Sequence, residues 1–465
     1  MTTGKKSTSV RGRQRDRRAK LKPQDWTLGL EVVHPKAAGI DVGNSEHYVA
    51  IPPSLDAEPV RRFGCFTAEL VALAEWLQER GIETVAMQST GVYWIPLYEI
   101  LSAHGLRVLL VNARDTRNMP GHKTDVQECQ WLLKLHVYGL LKNSFRPEEE
   151  IAVMRTLWRQ RQQHTADASR CIQRMHKALT QMNLQLANVI SDISGWTGQA
   201  IIRAILAGER NPRELAKLRD PRVRATPEVI AKSLEGHWRP ELLFVLEQEW
   251  DSYHSFQRKI QECDQELHRH LQTMPAKADP EALPECPRGK RPRGNVPEQF
   301  DLREQLYRIV GVDLTGVDGI NVLTAQTIIA EVGYDMGPWE TEAQFVSWLN
   351  LAPRNRISGG KVIGRDRRKV VNRAGQALRT AATALLHSRT YLGAQFRRFR
   401  TKLGAPKAVK AMAGKLARII YRLLKYGQQY VDKGAEFYEQ KYRQQQIKMI
   451  TKKATELGFQ LVQPA

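Results

Sequence analysis

Ser358 lies in the string Ile357-Ser358-Gly359-Gly360-Lys361, at the head of the most basic stretch of the chain. From Arg354 to Lys425 there are 20 Lys and Arg and one acid, Asp366, a local charge of +19. A hydroxyl beside flexible glycines, in a field suited to phosphate, is what phosphoryl transfer through a protein nucleophile needs. A solvent-exposed turn on a polyanion-binding surface has the same composition. Arg354, Arg356, Lys361, Arg365, Arg367, Arg368 and Lys369 are the nearby candidates for nucleic-acid contact. Further on, Lys410, Lys415, Arg418, Arg422 and Lys425 fall close to one face of a helix. Met412, Leu416, Ile419 and Leu423 fall on the other, as a helix laid on a phosphate backbone requires.

A second set of candidates is acidic. Asp41 ends the apolar run that starts at Ala37, and Asp125 and Glu128 are three apart, so they share a face if that segment is helical. Carboxylates that converge where strands end can hold the divalent cation of a phosphoryl-transfer site. Taken singly, Asp41 reads equally well as a turn acid, and Asp125 as an acid placed to favour a helix N-terminus.

The elements that would position these residues follow from hydrophobic period and turn chemistry. Residues 36 to 145 alternate strand and helix signals: strands at 37–42, 47–51 and 61–66, a helix capped by Thr67, a strand at 84–87, a helix at 93–103, a strand at 108–111, and a helix capped by Thr124 from Asp125 to about Tyr138. That order predicts an α/β sheet with an antiparallel hairpin on an otherwise parallel core, whose first strand and last helix can meet at one edge. Residues 148–272 carry helical periodicity in two long segments, the second from Pro240 to Leu271, and predict a coiled-coil interaction element or a plain helical domain. Residues 273–300 contain six prolines and predict a linker. Residues 301–430 form a mainly helical module in which Ile309 to Ile320 has the glycine pattern of a helix-hairpin-helix, and residues 431–465 a helical tail. Residues 1–30 read as a disordered basic arm.

The 465 residues carry a net charge of +22, and residues 1–22 alone contribute +8. With the +19 around and beyond Ser358, the excess is concentrated in an arm and one module, which fits a gripped polyanion. Nucleic acid is the first candidate and an anionic membrane the second, but no apolar run approaches the roughly 18 residues that span a bilayer. The basic N-terminus is followed by no apolar segment, so no signal peptide is expected. Five scattered cysteines (65, 129, 171, 263 and 286), never in a C-x-x-C pair, argue for a reducing compartment and against a zinc site.

Asp41-Val-Gly, Gln88-Ser-Thr-Gly-Val-Tyr-Trp94, Lys123-Thr-Asp125, Tyr138-Gly-Leu-Leu and Ser144-Phe resemble the N-terminal domain of insertion-sequence 110 family transposases. Leu351-Ala-Pro and Ile357-Ser358-Gly-Gly-Lys361 resemble their C-terminal domain, and the linker and C-terminal motifs look most like the family's 1111 subgroup. The resemblance implies a RuvC-like, RNase H-like domain with four metal-binding acids in the order Asp, Glu, Asp, Asp, holding Mg²⁺ or Mn²⁺. Asp41 matches the first and Asp125 the third. Gln88 stands where the family has Glu, and Glu128 where it usually has Asp. Gln88 offers only a neutral carbonyl oxygen, which lowers the charge of the site by one; Glu46, Glu83 or Glu99 would substitute only if the fold brought one of them near. The resemblance further implies that Ser358 attacks a DNA phosphodiester to give a covalent phosphoserine linkage, activated by metal and carboxylates of the N-terminal domain, with Arg354, Arg356 and Lys361 neutralising the phosphate. It implies donor and target DNA, an element-encoded guide RNA, and action on the nucleoid in the bacterial cytoplasm; synapsis of two duplexes then calls for a homodimer or tetramer, for which the long helical middle offers the surface. Two other readings stay open: a metal-dependent RuvC-type nuclease in which water is the nucleophile, and a nucleic-acid-binding protein whose Gln88 marks lost activity.

Overall fold

The computed structural model describes residues 30–89, 91–112, 124–285, 294–353, 355–365, 372–427 and 434–460. All of the basic arm but Leu30, and also Lys123, Arg354, Arg367, Arg368 and Lys369, lie outside the described residues, as does the side chain of Arg365. The chain divides into two compact units, Met1–Phe145 and Arg146–Ala465.

The first unit runs β1 (Ala37–Val42), β2 (Glu46–Ala50), β3 (Val60–Gly64), α1 (Thr67–Glu79), β4 (Thr84–Gln88), α2 (Trp94–Ala103), β5 (Arg107–Val111) and α3 (Asp125–Val137). This is the expected order of elements. The sheet order is β3-β2-β1-β4-β5, with β2 antiparallel to β1 and β3, and β4 parallel to both β1 and β5. Side chains alternate across the sheet with period two. Ala38, Ile40 and Val42 pack on one side with Leu73, Leu77, Leu97 and Leu101 of α1 and α2. Ala37, Gly39 and Asp41 therefore face the other side, where Ala37 packs with Cys129 and Leu133 of α3. Helix α3 lies directly on β1, because a Cβ at Gly39 would land on the Leu133 amide nitrogen and the Cys129 carbonyl.

Thr124 caps α3 as expected, its hydroxyl accepting the Gln127 N–H at 3.3 Å. At α1 the expectation fails by one residue. Thr67 is the first helical residue and Phe66 holds the cap position, where Glu69 reaches back to accept the Phe66 N–H at 3.4 Å. A glutamate three residues past the cap does part of the work that the Thr67 hydroxyl was expected to do.

The second unit opens with α4 (Glu149–Gln181), followed by α5 (Trp196–Leu206), α6 (Pro212–Lys217), α7 (Pro227–Ser233) and α8 (Pro240–Thr273). Helices α4 and α8 run antiparallel. Arg174 meets Glu249 at 3.1 Å, and buried Arg161 grips buried Asp264 through two bonds of 2.5 and 3.1 Å. Their apolar stripes close on each other and on α5, α6 and α7, giving one core from Ala168 to Ile260. The expected coiled-coil element is thus a helix pair within one chain, part of a helical core.

The unit continues with α9 (Leu302–Val310), α10 (Val322–Val332), α11 (Glu342–Trp348), β6 (Asn355–Ser358), β7 (Lys361–Arg365), α12 (Arg373–Ala384), α13 (Tyr391–Leu403), α14 (Ala405–Tyr426) and α15 (Gly434–Glu456). Arg159 of α4 grips Glu331 of α10 with bonds of 2.8 and 2.6 Å, while Arg155 donates to the Ala330 and Glu331 carbonyls. The start of the expected linker folds back on the module, since the Lys277 and Ala278 N–H groups donate to the Arg308 carbonyl at 2.7 and 3.1 Å. The turn between α9 and α10, whose glycine pattern is that of a helix-hairpin-helix, is packed against the module. Val317, Asp318 and Ile320 are buried, and a Cβ at Gly319 would sit 2.7 Å from the Ala381 carbonyl of α12. Its glycine answers a close approach of two backbones. Among the described residues no helix is long and apolar enough to cross a membrane.

Gly39→Ala is expected to destabilise the first unit by about 1–3 kcal/mol, because the added methyl meets backbone. Gly316→Ala, whose Cβ meets open space, should change stability by less than about 0.5 kcal/mol. Urea denaturation followed by circular dichroism compares the two, and equal midpoints would show that α3 does not rest on Gly39.

Candidate functional site

Asp41 is the penultimate residue of β1, on the α3 side of the sheet. The parallel register pairs Ile40 with Met87, so Asp41 and Gln88 are the next residues of two neighbouring strands, on one face and at one edge. Gln88 is buried. The first turn of α3 brings Asp125 and Glu128 to the same place. Burial, then the charges of Glu128 and Asp125, push the Asp41 carboxyl up to about 6, against a smaller opposing effect of its bond from a Val42 N–H. These three carboxylates, from elements more than 80 residues apart in sequence, therefore share one electrostatic site.

The three substitutes for an acid at position 88 separate cleanly. Glu83 lies before β4, at the other end of that strand, and is held by Lys36 at 2.9 Å. Glu99 is on α2, exposed, and across the sheet. Glu46 is on β2, two residues before Tyr48, which lies directly across from Asp41. Glu46 accepts the Tyr48 hydroxyl at 3.2 Å and pairs with Arg62 at 3.2 Å. Tyr48 is the neighbour that sequence reasoning missed. The signal was present in the hairpin, since its register alone decides which residue of β2 faces Asp41.

Ser358 occupies a different setting. Strands β6 and β7 form a two-stranded ribbon in which Ser358 pairs with Lys361 and Ile357 with Val362, with a bulge between Arg356 and Ile357. Gly359 and Gly360 make the turn with φ of 55° and 76°. Two successive positive φ values are what a type I′ hairpin turn demands, and they explain the Gly-Gly pair next to the serine. All four residues of β6 are exposed, and Ile357, Val362 and Ile363 are 64%, 54% and 70% exposed. The ribbon holds the Ser358 hydroxyl in the open, opposite a lysine.

The basic face expected on the later helix, α14, is partly closed by acid. Arg422 bonds Glu342 of α11 at 2.7 Å and Arg418 approaches it at 3.6 Å. Lys425 donates to the Glu340 carbonyl at 3.0 Å and the Tyr421 hydroxyl at 2.7 Å. Lys415 is half-buried, its ammonium pKa lowered by burial and then by Arg422 and Arg418. Helical spacing alone could not show that α11, some 80 residues upstream, supplies a counter-charge.

A family model for DEDD-type transposases of insertion sequence 110 matches residues 38–184, and the model described as "Transposase IS116/IS110/IS902 family" matches residues 313–398. Together they span about half of the chain, in the expected order. The chain belongs to the insertion-sequence 110 family of transposases. No curated protein matches it. The DEDD domain of this transposase implies an RNase H-like fold, and the five-stranded mixed sheet with its helices agrees with that.

DEDD transposase domains typically use divalent metal ions. The charge of this transposase's site fits such an ion, because Asp41 is faced by two like charges and by no cation among the described residues. The ligand shell is not closed: among the described residues no group of three or more His, Cys, Asp or Glu is placed to hold an ion.

The raised pKa of Asp41 fixes the sign of a pH effect. Its folded value lies above the ordinary 3.8, so ionisation costs stability. That cost is absent below pH 3.8, grows through about 6 and is complete above it. Asp41→Asn should therefore stabilise the transposase by about 1–3 kcal/mol at pH 7.5 and by nothing near pH 4. Thermal melts at the two pH values check this, and added Mg²⁺ should raise the melting temperature of wild type more than that of Asp41→Asn. Gln88→Glu adds a fourth carboxylate and should tighten Mg²⁺ binding measured by calorimetry; unchanged affinity would remove position 88 from the ligand set.

Proposed function

We propose that this transposase cuts and rejoins DNA through Ser358, with a divalent cation held by Asp41, Asp125 and Glu128 and with Gln88 beside them. The observation that carries the reading is the exposed Ser358 hydroxyl at the end of a two-stranded ribbon, across from Lys361 and two residues from Arg356. In the reaction the Ser358 Oγ attacks the phosphorus of a DNA phosphodiester. A new Oγ–P bond forms, the P–O bond to one deoxyribose oxygen breaks, and that oxygen leaves as a hydroxyl once protonated. The number of phosphoester bonds is unchanged, so reversal by a different DNA hydroxyl rejoins strands without an external energy source. Lys361 and Arg356 balance the charge that builds on the phosphoryl oxygens. The ribbon residues 355–365 contain no carboxylate or imidazole, so the serine proton leaves to a base from outside the ribbon. A divalent cation, when bound, would supply Lewis-acid charge at phosphate oxygens.

Guidance by an element-encoded RNA and assembly into a dimer or tetramer belong to the same reading, supported by the family and by the concentrated basic charge. Arg354, Arg367, Arg368 and Lys369, outside the described residues, remain proposed DNA contacts by sequence, with Arg365. So do Lys415, Arg418 and Arg422, of which the last two share Glu342.

A second reading has one observation in its favour: the three carboxylates form an electrostatic site without the serine. Water would then be the nucleophile and the product a hydrolysed strand. Denaturing electrophoresis after incubation with element DNA and cognate RNA separates the two. Wild type is expected to give protein covalently attached to DNA, and Ser358→Ala to lose the adduct by at least about a thousandfold, as loss of a nucleophile does. Cleaved but protein-free DNA from Ser358→Ala would establish the hydrolytic reading instead.

A further inference from the structure

Helices α13 and α15 face each other across an open groove of about 630 Å³. Along α13 the groove is lined by Tyr391, Gln395, Arg398 and Lys402, spaced by four, three and four residues, with Phe399 and Thr401 beside them. Along α15 it is lined by Tyr438, Tyr442, Gln445 and Met449, spaced by four, three and four again, with Lys441 and Gln446 beside them. These are the stripes that two packed helices fill with Leu, Ile, Val and Ala. Here aromatic rings, amides and cations outnumber the apolar Phe399 and Met449. The apolar stripe of α13 lies elsewhere, with Leu392 and Phe396 buried. The composition of the groove is therefore not a by-product of core packing.

The interior is ordered for flat, anionic material. Tyr391 and Tyr438 meet edge to face at 4.9 Å, and Tyr438 and Tyr442 lie nearly parallel at 6.5 Å. The Arg398 guanidinium covers the Tyr442 ring, 3.1 Å from its centroid, and is steadied by Glu439 at 3.2 Å. This makes a planar cationic platform next to an aromatic row. Lys402 and Lys441 are exposed at the rim, and among the described residues that line the groove there is no carboxylate, Glu439 lying behind Arg398. A second cavity of about 640 Å³, beside α5, has Asp192 and Asp220 in its wall and lacks this pattern.

We propose that the groove between α13 and α15 binds a single-stranded segment of nucleic acid, stacking a base on the Arg398–Tyr442 platform and holding flanking phosphates with Lys402 and Lys441. Stacking on aromatic and guanidinium planes suits single strands, because a duplex keeps its base faces covered. The site is separate from Ser358 and stands or falls without it.

The test uses the full chain and fluorescence anisotropy with labelled oligo(dT), oligo(U) and a blunt DNA duplex. Tyr442→Ala is expected to weaken single-strand binding about tenfold and duplex binding by less than about twofold. Lys441→Ala, at an exposed position, should lower the single-strand salt slope by about 0.7. The readout is binding and not strand transfer, so failure of the nucleophile reading leaves this result intact. Preference between oligo(dT) and oligo(U) decides which kind of strand the groove takes, through contact with the 2′-hydroxyl. Unchanged single-strand affinity in both Tyr442→Ala and Lys441→Ala overturns the proposal. So does an equal loss for duplex, or a change of oligomeric mass in Lys441→Glu by light scattering, which would make the groove an interface between copies.

Discussion

Helix α3 can carry its two acids to Asp41 only because β1 has no side chain at Gly39. The backbone of α3 at Cys129 and Leu133 occupies the space where a Cβ would stand. That contact sets the height of the helix above the sheet, and its first turn then hangs over the end of β1. The result is unfavourable taken alone: three carboxylates gather where one, Asp41, is buried enough to resist ionisation. A fold keeps such a repulsion only when the rest of the packing over-determines it. Here the cap at Thr124 and the 3.0 Å contact of His136 with Thr84 hold the two ends of α3, while Leu132 and Leu133 are fully buried between them.

The second unit solves a different problem, that of making a long helix pair rigid. The Arg161–Asp264 pair is buried, so removing either partner alone would strand a charge. It fixes the register of α4 against α8 more tightly than apolar contacts would, since a guanidinium and a carboxylate fit in one geometry. Arg155 and Arg159 then tie α4 to α10, which packs with α12. The same chain of contacts leaves the β6–β7 ribbon free of the core. Residues 355–363 are exposed, so its shape rests on the Gly359-Gly360 turn and the strand pairing. A nucleophile on such a ribbon can be offered to a phosphate without moving the core.

Charge is distributed in keeping with that division. Around α14, Glu342 takes up Arg418 and Arg422, so part of the basic face serves the packing of α11. Between α13 and α15, Arg398 is shared between Glu439 and the Tyr442 ring, while Lys402 and Lys441 stay exposed. Two regions of similar composition in the sequence thus have different physical roles.

Local signals in the sequence determined the element order of the first unit, the Thr124 cap, the apolar period of α4 and α8 and the turn at Gly359-Gly360. Each depends on neighbours within a few residues, which is where period and turn chemistry act. The family was legible too, because its motifs are short contiguous strings. Tertiary structure decided that Glu46, and not Glu83 or Glu99, lies on the Asp41 side, that Tyr48 faces Asp41, and that the Gly319 turn is packed against α12. It also decided that the long helices pair with each other and that Glu342 meets α14. All of these join residues distant in the chain, and the charge or shape of a residue does not state which remote backbone the fold will bring beside it. Asp41, Asp125 and Ser358 could be picked by type and motif; the raised pKa of Asp41 could not, since it arises from burial and from charges that meet only after α3 has settled on Gly39.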